Sequence, residues 1–242
     1  MVKAYWWKGA PNFGDALAPY LLKQFAGVKV EWSCISRAKI ASIGSILEHI
    51  PLGWGGYILG SGRLFPSKKL KFSKARIISL RGPLSARGIT GGSKYPLGDP
   101  GLLADELVGP QDKVYDLGII PHWRDTELVP RFEKMKLKGN IKIIKPDGNP
   151  LTVIRQIGQC KRVVTSSLHG LIVADAFGGI PRRLELSPAL LKEGGDFKFR
   201  DYHASIHMPF YPGKMSEPNR WAVEDVKFAV YDAFKILKKE LS

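Results

Sequence analysis

The chain has 242 residues, 44% of them hydrophobic and 24% charged, which excludes a mostly disordered chain, a fibrous repeat and a minimal stapled scaffold. Its 37 Lys and Arg against 22 Asp and Glu give a formal net charge of +15 and so call for an anionic partner without naming one. The basic residues are spread along the chain, which disfavours a nucleic-acid-binding arm and fits an anionic small substrate or an acidic membrane surface equally well.

No run reaches the roughly 18 apolar residues of a membrane-spanning helix. The opening MVKAYWWKGAPNFGD turns at Gly9 and Pro11 after a short apolar run and shows no small-residue cleavage site, so residues 2–7 are expected to form the first strand of the mature fold. Residues 9–14 read as a loop and 16–25 as a helix whose first-turn amides Asp15 can cap. A second strand is expected at 28–32. Residues 38–49 read as a helix, on the spacing of Ile40, Ile43, Ile46 and Leu47. Residues 57–59 and 76–80 are short apolar strands, each ending in a glycine-bearing turn.

The segment DELVGPQDK, from Asp105 to Lys113, breaks the apolar pattern and marks a boundary. Beyond it, strands are expected at the run VYDLGIIPHW, at 141–144 and at 162–165, with helices at 127–135, 151–159 and 168–177. The last helix, 220–241, places Val223, Val226, Val230, Phe234, Leu237 and Leu241 at intervals of three and four; docking of this stripe on the core is the expected use, with membrane-surface contact the alternative. Short apolar strands alternating with helices imply parallel sheets covered on both faces. The expected organisation is an α/β fold with an N-terminal unit at 1–108, a second at 109–218 and the helix at 219–242. A cleft between the sheets would bind ligand at the carboxyl ends of the strands.

Absent motifs narrow the chemistry. There is no GxGxxG opening a βαβ unit, no GxxxxGK[ST], no HExxH, no GxSxG and no deaminase signature, which disfavours nicotinamide enzymes, P-loop hydrolases and metalloproteases. Cys34 and Cys160 match no zinc spacing and imply a reducing compartment. No metal cluster is evident, so a divalent ion is optional.

Three segments can carry chemistry. In GAPNFGDALAP, after the first strand, Asp15 either caps the helix or meets an acceptor hydroxyl, as contact or base, with Asn12 and Gly14 beside it. In SLRGPLSARG, Arg81 either forms a buried ion pair or presents its planar fork to a phosphate or carboxylate. The nearby YPLGDP sets Asp99 as a turn or cap residue that can also face substrate. In VVTSSLHGLIVADAFGGIP, Ser166, Ser167, Leu168, His169 and Gly170 occupy a strand-to-helix turn. The positive end of the helix there attracts phosphate and keeps the imidazole neutral. His122 is a second candidate; His203 and His207 rank lower, and His49 reads as a helix-end residue.

At these segments the chain resembles the polysaccharide pyruvyl transferase family. NFGD at 12–15, LRG at 80–82, GDP at 98–100, PHW at 121–123 and SSLHGLIVADAFG at 166–178 occur in order over about three quarters of the chain. The resemblance implies transfer of the pyruvyl group of phosphoenolpyruvate onto hydroxyls of a sugar, forming a ketal and releasing phosphate. It also implies two Rossmann-like domains in a GT-B-like arrangement, the N-terminal one on the acceptor side and the C-terminal one on the donor side. By similarity, Arg81 and His169 are donor-site residues. Many members carry an arginine two positions before the histidine, where this chain has Ser167, so phosphate or carboxylate contact must come from backbone amides, Ser166, Ser167 or another basic residue.

The expected site is then catalytic His169, Arg81 and Asp15; a donor set of Arg81, Ser166, Ser167, Leu168, His169 and Gly170; and an acceptor set of Asn12, Gly14, Asp15, Asp99 and His122. The implied partner is a sugar or lipid-linked oligosaccharide, and the expected location is the cytoplasm, with peripheral contact at the inner face of the membrane if the acceptor is lipid-linked. The alternatives are a GT-B-like glycosyltransferase using a nucleotide sugar and a non-enzymatic glycan-binding protein.

Overall fold

The computed structural model describes residues 1–67, 69–135, 138–184, 195–211 and 217–242. Among these residues, nine strands form two wholly parallel sheets. The first comprises β1 (Val2–Tyr5), β2 (Val30–Trp32), β3 (Ile40–Ala41), β4 (Tyr57–Ser61) and β5 (Arg76–Leu80), in the order β2-β1-β3-β4-β5. The second comprises β6 (Tyr115–Ile120), β7 (Ile141–Ile143), β8 (Cys160–Thr165) and β9 (Ile180–Arg183), in the order β7-β6-β8-β9. Both sheets therefore start from an inner strand, step to one side, then reverse and grow on the other. The reversal falls between β1 and β3 in the first sheet and between β6 and β8 in the second. Connections diverge at such a point and leave a crevice at the strands' carboxyl ends.

The helices are α1 (Ala18–Ala26), α2 (Pro83–Arg87), α3 (Val129–Lys134), α4 (Pro150–Gly158), α5 (Leu168–Ala176), α6 (Phe197–Ser205) and α7 (Arg220–Leu241). Their ends follow local chemistry. Pro19 sits in the first turn of α1, and Gly27 closes that helix at φ +69°, a left-handed backbone that glycine adopts without a Cβ clash. Asn149 caps α4, Ser167 caps α5 and Asn219 caps α7 through their side-chain oxygens. Helix α5 is buried along its whole length, as its nearly all-apolar sequence requires.

One buried apolar cluster runs through both sheets, from Ala4 and Leu59 to Ile120 and Val163, and takes in α5 and α7. The expected stripe of α7 lies in it through Val223, Val226, Val230, Phe234 and Leu237, with Leu241 packed at its edge. Among the described residues no helix is long and apolar enough to cross a membrane.

One expected element is corrected. Residues 38–49 are not a helix: β3 occupies Ile40–Ala41, and only a 3-10 turn, Leu47–His49, follows. Gly44 has φ +113°, which no right-handed helix accommodates, and a Cβ there would lie 2.2 Å from the Asp15 carboxylate. The apolar spacing serves an inner strand and the loop beyond it. Strand β9 and helix α6 are additional to the expected elements.

Candidate active site

Chain segments leaving the carboxyl ends of both sheets meet at one cavity of about 260 Å³. From the first sheet come Trp7, Asn12 and Asp15 after β1, Ser45 and Ile46 after β3, and Leu64 after β4. From the second come His122, Trp123 and Arg124 after β6, and Ser167, Leu168 and His169 after β8. Lys198, in the first turn of α6, and His49 complete the wall. The cavity thus lies where the two reversal points face one another, and the loops touch directly: Phe13 N–H donates to Pro146 O at 2.9 Å.

His169 is 6% exposed. Gly14 lies so close that a Cβ there would sit 2.0 Å from Nδ1, so this glycine lets the loop after β1 rest on the imidazole. Burial, then the positive charges of Arg81 and Lys198, push the His169 pKa down to about 3, and the ring is neutral at physiological pH. His122 is likewise pushed down to about 3, by burial first and then by Lys198, Arg124 and His169. The Arg124 N–H donates to its Nδ1 at 3.4 Å.

Asp15 opens a 3-10 turn and accepts a short hydrogen bond from Asn12 Nδ2, while Asn12 Oδ1 accepts from Gly14 N–H at 3.1 Å. It caps no helix with its side chain. Burial pushes its pKa up to about 7, against the opposing pull of Lys198 and Arg81 and with a further push from Asp99. Near neutral pH this carboxyl exchanges a proton in either direction, the condition that suits general acid–base work.

Other expected site residues stand one layer behind the wall. Arg81 is fully buried, with Nε on Asp201 Oδ2 at 2.9 Å, Nη1 on Ser45 Oγ at 2.5 Å and Nη2 on Arg63 O at 2.6 Å. Its fork is therefore committed inside the protein. Of the two expected uses, the structure forms the buried ion pair, because α6 supplies a carboxylate at contact distance. Ser166 is also behind the wall: its Oγ accepts from His122 N–H at 2.7 Å and donates to Asp125 Oδ2 at 2.6 Å, tying the loop after β6 to that after β8. Gly170 packs on Thr165, where a Cβ would lie 2.4 Å from Oγ1. Asp99 is fully buried and caps the 3-10 turn Pro100–Leu103, its Oδ1 accepting from Gly101 N–H at 2.8 Å, so it does not line the cavity.

Several wall residues escaped the sequence reading. Lys198 and Arg124 bring positive charge to the side of His169, and Trp7 and Trp123, one from each sheet's end, stand with ring centroids 5.3 Å apart. Arg124 lies over the Trp123 ring at 4.4 Å. His49 faces the cavity and hydrogen-bonds the Tyr5 hydroxyl through Nδ1 at 2.9 Å. The PHW run was the one available signal, for Trp123. Among the described residues, no group of three or more His, Cys, Asp or Glu is placed to hold a metal ion.

The fold and site define a parallel two-sheet α/β protein in which Asp15, His122 and His169 gather with Lys198 and Arg124 in one cavity at the carboxyl ends of both sheets. A family model described as polysaccharide pyruvyl transferase matches residues 50–179, more than half of the chain, and the chain belongs to that family of enzymes. It is 26% identical over 230 residues to a succinoglycan biosynthesis protein, ExoV, of Rhizobium meliloti (strain 1021), covering 90% of this chain and 69% of that protein. It is also 30% identical over 154 residues to an uncharacterized protein of Acanthamoeba polyphaga mimivirus, covering 60% of this chain and 53% of that one.

Proposed function

We propose that the protein transfers the pyruvyl group of phosphoenolpyruvate to two hydroxyls of a sugar in a glycan or glycan precursor. The carrying observation is the convergence of His169, Asp15 and the Lys198 and Arg124 cations in one cavity of a chain from this family. The two sheets would then be two Rossmann-like domains in a GT-B-like arrangement, divided near residue 108, with α7 belonging to neither unit and packing on the core.

In this reading the donor's phosphate and carboxylate lie against the α5 N-terminus, where Ser167 and the backbone amides favour an anion. Lys198 and Arg124 supply the cation that Ser167 lacks. The methylene carbon of the donor takes a proton, the first sugar hydroxyl bonds to the adjacent carbon while losing its own, and phosphate departs with the electrons of the broken C–O bond. Attack by the second hydroxyl, which also gives up a proton, closes the ketal. His169 carries protons in this sequence and Asp15 serves the acceptor hydroxyl, held in place by Asn12. Arg81 acts from behind the wall, through its charge and by fixing Ser45 and α6. Trp7 and Trp123 offer apolar ring surface to the acceptor sugar. A glycolytic donor places the reaction in the cytoplasm, and the +15 charge suits a lipid-linked acceptor at an anionic membrane face.

The test is a donor panel. Calorimetry with phosphoenolpyruvate alone should show binding. With hexose oligosaccharides added, phosphate release should match appearance of the ketal methyl resonance, and nucleotide sugars should be inert. Turnover of a nucleotide sugar, with none of phosphoenolpyruvate, overturns the reading.

A pH dependence follows from Asp15. Its carboxyl must be ionised to accept the hydroxyl proton, and burial has moved that ionisation from 3.8 to about 7. Turnover should therefore rise with pH through about 7 and flatten above it, and Asp15→Asn should abolish that limb of the kcat profile.

A further inference from the structure

Behind His169, two buried polar atoms without a hydrogen-bond partner among the described residues face each other: His169 Nε2 and Asp99 Oδ2, 3.9 Å apart. Buried polar atoms are nearly always paired, and this separation exceeds a hydrogen bond by less than 1 Å. The atoms are complementary, one able to carry a proton and the other an acceptor. The remainder of Asp99 is already committed, since Oδ1 caps Gly101 N–H at 2.8 Å. The other ring nitrogen, Nδ1, lies on the Gly14 side, against the loop that carries Asn12 and Asp15 to the cavity.

We propose that Asp99 is a positioning residue for His169: its Oδ2 receives the Nε2–H, which selects the tautomer that leaves Nδ1 as the proton-accepting nitrogen. The proposal rests on the reading of His169 as a proton carrier. When the imidazole takes a proton on Nδ1 during turnover, the cation formed is stabilised by the carboxylate across the ring. The charges around this pair are mixed. Arg81 and Lys198 oppose the imidazolium; Asp15 and Asp201 lie on the acidic side, with neutral His122 nearby. Burial raises the Asp99 pKa to about 6, so it is largely ionised at neutral pH.

Asp99→Asn isolates this role. Asparagine keeps the shape and, through Oδ1, the cap on Gly101, but turns an amide donor toward Nε2. The full chain labelled with ¹⁵N-histidine, its His169 signals assigned by their loss in His169→Gln, is examined near pH 7.5. The wild type should show protonated Nε2 and Asp99→Asn protonated Nδ1. Turnover of phosphoenolpyruvate should fall at least ~10²-fold in the variant with donor KM little changed. Protonated Nδ1 in the wild type, or an unchanged tautomer in the variant, overturns the proposal, the former even if the variant fails to fold. A switched tautomer with unchanged turnover overturns it differently, by showing that His169 carries no proton in the reaction. Because the tautomer is read without any substrate, failure of the pairing is distinct from failure of the donor assignment.

Discussion

His169→Ala is expected to leave the fold nearly intact and to lower pyruvyl transfer by at least ~10²-fold, the lower end of what a positioned acid–base group contributes. The fold should survive because the buried imidazole is neutral and Asp99 keeps its cap on Gly101 N–H when the ring is lost. Its loss opens a void against Gly14, while Asp99 keeps its hydrogen bond to Gly101 N–H and its proximity to Arg81. Lys198, Arg124 and the α5 N-terminus stay in place, so calorimetric binding of phosphoenolpyruvate should persist while phosphate release and ketal formation fall together. An unchanged rate would remove His169 from the chemistry.

Asp201→Ala should have the largest effect on stability. The Asp201 carboxylate accepts from Arg81 Nε at 2.9 Å, Ser85 N–H at 2.8 Å and Ser85 Oγ at 2.5 Å, and both it and the guanidinium are fully buried. Removing it leaves a buried cation without its counter-charge, a loss of about 3–5 kcal/mol. For a chain of this size each kcal/mol is roughly 2–4 °C in Tm. The tether also matters for function, because Asp201 and Lys198 lie one turn apart on α6. Arg81→Lys keeps the charge but cannot reproduce a fork that reaches Asp201, Ser45 and Arg63 at once. It should lower Tm by less than Asp201→Ala and raise the donor KM as Lys198 shifts. Thermal unfolding and donor kinetics measured on both variants check this; a wild-type Tm for Asp201→Ala would show that the pair holds nothing.

The parts of the fold legible in advance were those encoded locally. The apolar runs that became β4, β5 and β8, the nearly all-apolar α5 and the stripe of α7 each bury a face dictated by neighbouring residues. Site segments were legible for a related reason: in parallel α/β folds the loop after a strand is delivered to the sheet's carboxyl end, where NFGD and SSLHG reach the cavity. The misread stretch 38–49 shows the limit. Its isoleucines suit a helix or an inner strand equally, and the choice was made by the slot between β1 and β4.

By itself, the sequence determined a two-sheet parallel α/β chain, the loops that carry Asp15 and His169, and the family to which they point. Only the tertiary structure decided which atoms those residues meet. Arg81 and Asp201 are 120 positions apart, and no local pattern announces that a carboxylate on α6 will claim the guanidinium. Lys198 and the two tryptophans reach the cavity only because two reversal points face each other. The burial that holds His169 neutral and raises Asp15 toward 7 exists only once both sheets are packed. Pairing, burial and charge proximity are long-range properties, and the order of residues constrains them only through the completed fold.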